Sequence, residues 1–439
     1  MDQHKTRRDS SVTGASRRDF LQSSTTAAVG TALGSTITAP AVLSAVPSTQ
    51  TLRVGLIGCG GRGAGAALNA LAADEDVALT AMADLFENNL QASLTQLQTH
   101  AGEKVRVDPE RCYLGFDAYQ RLLESDVDVV ILATPPAFRA QQYAAAVDAG
   151  KHCFVEITAA IDAPGVRTAL AASDKAEEQG LSVVSGFCWR YHPGLRAFKE
   201  QLSGGAIGDI RAVYATYYRN SLGHKYYGER TPEMSDLEWQ IRDWYPYLWL
   251  SGDLTILLSG GHSLDKMAWW LDDQMPESAV AVGSQQFPSD GNTYDNVFVV
   301  YEYAGGVRGF LGSRSQDGCY LENADLVIGS TGVGRFDGRV PVIEGAAEWR
   351  AKRDGRSMYQ VEHDELFASI RSGRPINDGH RMAHTTLMGV MGRMAAYTGK
   401  QVTWEQALNS EQQLVPESLD WNTTVEQLPL AKPGLTELT

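Results

Sequence analysis

"VGLIGCGGRGAGAAL", residues 54–68, runs from a short apolar stretch through a cluster of glycines into an alanine-rich, helix-forming stretch. That order, strand then glycine turn then helix, gives meaning to the G-x-G-x-x-G spacing of Gly58, Gly60 and Gly63. One glycine permits the tight turn, one lets the backbone approach a pyrophosphate, and one allows close contact between helix and sheet. The start of the helix supplies free N–H donors, so Gly61 and Arg62, inside the same turn, are read with the three glycines as cofactor-binding. About 20 residues on, the next apolar run, "VALTAMAD", ends at Asp84, where a carboxylate accepts both ribose hydroxyls of an adenosine. The same carboxylate repels a 2′-phosphate, and no arginine follows in "LFENN", residues 85–89, which favours NAD over NADP.

Outward from this turn, "VDVVILATPP" (127–136), "KHCFVE" (151–156) and "LSVVSGF" (181–187) continue the alternation of short apolar runs with helix-length segments. Parallel strands joined by crossover helices follow from that alternation, so residues 50–186 are read as an NAD-binding Rossmann domain. Thr134 and Pro135 form a stiff loop at the carboxyl edge of the sheet, where open parallel sheets bind ligands. Beyond it the texture changes to two-residue alternation, as in "IRAVYATYY" (210–218) and "VFVVYEYAGGVRGFLGSRS" (297–315), with Gly305-Gly306 as a hairpin turn. The expected fold is α/β: the Rossmann domain, then a C-terminal α/β domain over 187–410 with a large, mostly antiparallel open sheet, then a tail over 411–439.

The totals fit a soluble protein of several domains: 439 residues, 43% hydrophobic and 21% charged. A formal net charge of −15 disfavours nucleic acid and anionic lipid as partners and suits a small ligand. The first 45 residues differ from the rest. Arg17 and Arg18 stand in S-R-R-x-F-L (Ser16 to Leu21), and no charge occurs between Asp19 and Arg53. This resembles a twin-arginine export signal, so residues 1–45 are read as removed on export to the periplasm; their mild Gly/Thr/Ala-rich stretch is too weakly apolar for a membrane span. The five cysteines contain no CxxC pair, and no His/Cys/Asp/Glu set has metal-ligand spacing, so neither a disulfide framework nor a metal is expected.

The glycine turn, "TPP", "GKHCFVE", "GFCWRYHP", "GGHSLD" and the late "RPINDG" together resemble the Gfo/Idh/MocA oxidoreductases over essentially all of residues 51–410. The resemblance implies NAD(P)-dependent chemistry on sugars and related polyols, and homo-oligomers formed through the second domain's sheet. It also places Glu156 at the ribose or nicotinamide side of the cofactor. Two positions depart from the family pattern. In Glu156-Ile157-Thr158, which stands for the family's E-K-P, Ile157 replaces the lysine; four residues before His262, Leu258 replaces an acidic partner.

His262 is therefore the candidate general base. In "GGHSLDKMAWWL", Leu264, Met267, Ala268 and Leu271 recur at helical spacing as a buried stripe, which puts His262, Asp265, Lys266 and Trp269 on the other face. A first-turn position keeps an imidazole neutral through the helix dipole, as a proton acceptor requires. Arg190 and Tyr191, with Trp244 and Asp265, are read as substrate contacts, because aromatic faces with charged neighbours suit a pyranose ring.

Export adds a constraint: outside the cytoplasm no NAD pool exists, so a tightly bound cofactor must be regenerated on the enzyme. The expected function is an exported, NAD-binding oxidoreductase acting on a sugar or glycoside, with the hydride possible to return within the cycle. Two alternatives stand beside it. One is a glycosidase-like cycle of oxidation, elimination, addition and reduction, implied by exported family members that also lack the lysine; the other is a non-catalytic NAD-binding scaffold.

Overall fold

The computed structural model describes residues 50–222 and 229–439. The expected export signal over 1–45 lies outside the described residues. Six parallel strands form the first sheet: Leu52–Ile57 (β1), Val77–Asp84 (β2), Cys112–Leu114 (β3), Val129–Leu132 (β4), His152–Val155 (β5) and Val183–Ser185 (β6), in the order β3-β2-β1-β4-β5-β6. The order reverses beside β1, so the ends of β1 and β4 diverge there and leave the crevice in which open α/β sheets bind ligands. β4 and β6 are buried at every position, as both faces of a helix-covered parallel sheet require.

The second sheet has nine strands: Ile210–Arg219 (β7), Ser278–Ser284 (β8), Asn296–Glu302 (β9), Arg308–Ser315 (β10), Glu322–Gly329 (β11), Gly332–Phe336 (β12), Val342–Gly345 (β13), Trp349–Arg350 (β14) and Val402–Thr403 (β15). Every pairing is antiparallel except β7 with β10. Gly305 and Gly306, with φ of +72° and +84°, make the β9–β10 connection that only a residue without a Cβ adopts cheaply. Ala279, Val299, Tyr301, Leu311 and Val213 line the inner face; the other face leaves Val280, Val282, Phe298 and Ile328 exposed. Both the Rossmann sheet and the mostly antiparallel sheet agree with the expectation from sequence.

After the second sheet the chain returns to the first domain. In the helix Met358–Ser372, Gln360 bonds Asn69 and Arg371 pairs with Asp74 at 2.9 Å, while Asn377, just before the helix Gly379–Thr398, donates to Ser173 O. Two segments distant in sequence thereby complete the layer around the parallel sheet. Among the described residues no helix is long and apolar enough to cross a membrane.

Candidate cofactor and active site

The glycines of the turn serve different ends. Gly58 has φ of +94°, and a Cβ there would lie 2.6 Å from Ala133 C and Thr134 N; a Cβ on Gly63 would lie 2.0 Å from Gly58 O. These two positions close the turn. A Cβ on Gly60 or Gly61 would meet nothing within 4 Å, and Gly60 gives the helix Gly61–Ala73 no side-chain cap. Gly58, Gly60, Gly61, Arg62 and Gly63 all line a cavity of about 380 Å³, together with Asp84, Thr134, Pro135 and Trp244. Open space over uncapped backbone N–H groups at a helix start is an anion cradle, so the residues present fit a dinucleotide diphosphate.

Asp84 ends β2 on the wall of this cavity. Its Oδ2 accepts from Cys59 N at 2.6 Å and its Oδ1 from Phe86 N at 2.8 Å. Burial pushes its pKa up, against the pull of these N–H groups and of Arg242. Thr134 Oγ1 donates to Gln142 at 2.6 Å, and Pro135 precedes the helix Pro136–Asp148.

Glu156 lies buried at the end of β5, where Oε1 accepts from Arg62 Nε and Oε2 from Ile157 N at 3.2 Å. Arg62 Nη2 donates to Glu362 Oε1 at 3.1 Å. One guanidinium thus serves two buried carboxylates. Burial opposes its charge, but Glu156 and Glu362 outweigh burial and hold its pKa above the ordinary value. Glu362 is pushed well up, first by burial and then by Glu156, and its Oε2 has no partner among the described residues.

His262 does not line the 380 Å³ cavity, although Arg62, which does, is close enough to act on it. Its ring lies edge-on to Phe187 at 6.2 Å and nearly parallel to Tyr217 at 6.1 Å, and its Nδ1 has no partner among the described residues. Burial, then Lys266, Arg62 and Arg219, lower its pKa to about 3. The ring is neutral, but not for the reason expected from sequence. A π-helical turn, Leu254–Ser259, runs directly into the helix Gly260–Trp270 and is capped by Asp253, whose Oδ1 accepts from Thr255 N at 2.9 Å. The free helix end therefore lies before Leu254, and His262 sits inside a continuous helix.

The face assigned to Asp265 and Lys266 also needs correction: both are buried, at 1% and 0% exposure. Each is held by an opposite charge, Asp265 by Arg190 at 2.9 Å and Lys266 by Asp325 at 2.7 Å. Tyr191 OH donates to Asp378 Oδ2 at 2.7 Å. Of the four residues read as substrate contacts, Trp244 lies in the cavity wall, whereas Arg190 and Asp265 pair with each other and Tyr191 with Asp378, all three buried and off the cavity's lining. Ile157 is buried too, at 7% exposure.

Two residues not singled out from sequence, Tyr245 and Arg139, belong to this region, together with Arg242 from the aromatic, charged segment that also carries Trp244. Tyr245 lines the 380 Å³ cavity and an adjoining one of about 250 Å³ that includes Gln285, Asp295 and Gln316. Arg242 lines the first of these. Arg139, fully buried, donates through Nη1 to Thr158 O at 2.6 Å and through Nη2 to Thr134 O, tying the loop after β4 to the loop after β5. Its signal was present: Arg139 shares the helical stripe of Tyr143, Ala146 and Val147, where a charge is out of place unless it is bonded.

Residues 52–187 match a family profile described as "Oxidoreductase family, NAD-binding Rossmann fold", and residues 195–333 match the "GFO/IDH/MocA C-terminal domain". Among curated proteins, a dTDP-3,4-didehydro-2,6-dideoxy-alpha-D-glucose 3-reductase of Streptomyces violaceoruber is 29% identical over 173 residues, 39% of this chain and 45% of that protein. Glycosyl hydrolase family 109 protein 2 of Shewanella sp. (strain ANA-3) is 33% identical over 160 residues, 33% of this chain and 34% of that protein. The chain thus spans less than half the length of these relatives. Among solved structures, levoglucosan dehydrogenase in complex with NADH and levoglucosan superposes with a TM-score of 0.64 at 17% identity, covering 81% of this chain and 99% of the other, an agreement of fold.

Proposed function

The chain belongs to the Gfo/Idh/MocA family of NAD-binding oxidoreductases, and from that premise we propose that it is an exported enzyme that holds NAD tightly and acts on a sugar or glycoside. The observation that carries this reading is the cavity whose wall joins the open backbone at Gly60 and Gly61 to the Asp84 carboxylate. When bound, the dinucleotide supplies a hydride acceptor that is also a donor. The chain's own residues do the rest. Gly60 and Gly61 admit the diphosphate to the backbone N–H groups, Asp84 accepts from the ribose hydroxyls, and Glu156, fixed by Arg62, sits toward the nicotinamide side.

With Ile157 and Leu258 both apolar, His262 is the group that takes the hydroxyl proton of the substrate, because its Nδ1 is uncommitted. Trp244 and Tyr245 offer aromatic walls for a sugar ring. Export by the Arg17-Arg18 segment into the periplasm removes access to a cofactor pool, and a hydride returned within each cycle meets that constraint. The partial likeness to a glycosyl hydrolase family 109 protein supports a glycosidase-like version of the same cycle. The exposed Val280, Val282 and Phe298 on the outer face of the second sheet support a homo-oligomer.

Mass spectrometry of protein released under denaturing conditions is expected to find one nicotinamide dinucleotide per chain. His262→Ala is expected to keep that dinucleotide and lose oxidation of a glycoside panel. The reading fails if ligand-stripped protein shows no calorimetric heat with NAD or NADH. A second reading, a non-catalytic scaffold, is favoured by the paired loss at Ile157 and Leu258; it gains if Ile157→Lys with Leu258→Asp creates an activity the parent lacks.

A further inference from the structure

At the adenosine end of the cavity the second domain contributes a cation. Arg242, the last residue of the helix Asp236–Arg242, lays its guanidinium carbon 3.8 Å from the centroid of the Phe86 ring. Phe86 is the residue whose N–H donates to Asp84 Oδ1 at 2.8 Å, and Arg242, Phe86, Asn89 and Asp84 line one cavity. The guanidinium is held in place, with Nε donating to Glu238 Oε1 at 2.9 Å and Nη1 facing Asn88 Oδ1 at 3.4 Å. Among the described residues Nη2 has no protein acceptor. An arginine is therefore presented, with its fork partly unused, at the strand end where the ribose 2′-substituent of a dinucleotide is read.

Both oxygens of Asp84 already accept backbone N–H groups, and Arg242 is near enough to oppose, with them, the rise that burial gives its pKa. The local field is thus not that of a lone carboxylate. Glu238 offsets part of the arginine's charge through Nε, and with Nη1 on Asn88 it is Nη2 that is left for a ligand.

We propose that Arg242 is a specificity-determining residue that admits a 2′-phosphate beside Asp84, so that this site binds NADP as well as NAD. The proposal rests on the cofactor reading above and concerns its nucleotide selectivity. Planar guanidinium nitrogens match phosphate oxygens, and such charge-assisted bonds are among the strong ones. An acidic residue at the end of β2 alone predicts exclusion of NADP; the arginine from the second domain reverses that expectation.

The test is calorimetric titration of ligand-stripped protein with NAD and NADP, for the parent, Arg242→Met and Arg242→Lys, with melting in the absence of nucleotide as the check of folding. The parent is expected to bind both dinucleotides within about tenfold of each other. Arg242→Met is expected to lose about tenfold or more in NADP affinity with NAD changed by less than about threefold, and Arg242→Lys to fall between, since it keeps the charge without the fork. The parent's preference for NAD should also widen with salt, and that widening should be lost or reversed in Arg242→Met, where only the Asp84 repulsion is left to be screened. Binding of NAD with exclusion of NADP by the parent overturns the proposal even if no variant folds, and so does an NADP-to-NAD ratio unchanged by Arg242→Met. Absence of binding by either dinucleotide overturns the cofactor reading itself, which is a separate and distinguishable outcome.

Discussion

Arg190 Nε donates to both carboxylate oxygens of Asp265, at 2.9 and 3.0 Å, while its Nη2 donates to Asp273 Oδ1 at 2.6 Å. The pair joins the turn after β6 to the helix that carries His262, so it positions the histidine's helix against the segment that leaves the first sheet. Removing Asp265 leaves Arg190 buried with Asp273 as its one remaining acidic partner among the described residues. Asp265→Ala is expected to destabilise the protein by about 3 kcal/mol, the low end for a broken buried pair because Asp273 still answers part of the arginine's charge. Urea unfolding with unchanged midpoint would show instead that these groups are free for a ligand.

The same pair shows where the sequence stops being readable. The strand, glycine turn, helix and terminal Asp84 follow one another within a single βαβ unit, and local spacing suffices to read them. Charge, by contrast, reads as exposure, and Asp265 and Lys266 were placed on an open face because their partners lie far along the chain. Arg62 and Glu362 are 300 residues apart, and Arg242 is 154 residues from the Asn88 it faces. No periodicity in one segment reports a partner in another. Ile157 and Leu258 were legible as departures, yet the charges that bear on His262 from elsewhere in the chain, Arg62 and Arg219, required the fold.

His363 stacks on Phe154 with centroids 4.2 Å apart, and neither ring nitrogen has a partner among the described residues. Burial, then Arg62, lowers its pKa to about 3, below the unfolded value near 6.5. The unfolded chain therefore binds the proton first as pH falls, and the histidine's contribution, complete above pH 6.5, is lost on acidification toward pH 3. Relative to His363→Gln, the parent is expected to lose about 2 kcal/mol between pH 6.5 and 5. Parallel stability curves for the two proteins would mean that the imidazole is not held neutral.

Glu362, its neighbour on the same helix, has the opposite sign. Its folded pKa is raised, so the folded chain keeps a proton that the unfolded chain releases above about pH 4.5. Its contribution is present below that pH and declines as pH rises toward the folded value. Glu362→Gln, which mimics the protonated form, is expected to match the parent in acid and to become the more stable of the two as pH rises. Chemical denaturation at pH 5 and pH 8.5 measures the crossing; a variant that is less stable at both values would mean that Arg62 needs the charge of Glu362 as well as that of Glu156.

Gly63 and Gly61 separate the packing role of the turn from its binding role. A Cβ on Gly63 falls 2.0 Å from Gly58 O, a backbone atom that cannot withdraw without opening the turn, whereas a Cβ on Gly61 meets nothing within 4 Å. Gly63→Ala is expected to cost several kcal/mol or to prevent folding, in keeping with overpacking against main chain. Gly61→Ala, at the first position of the helix with no positive φ, is expected to leave ligand-free stability unchanged or raised by up to about 1 kcal/mol. If the open space above Gly61 is where a diphosphate meets the backbone, the same methyl group must lower dinucleotide affinity, by about tenfold or more for one lost charge-assisted bond. Melting without ligand and calorimetric titration with NAD read the two effects independently, and a Gly61→Ala protein that binds NAD as tightly as the parent would move the diphosphate away from this turn.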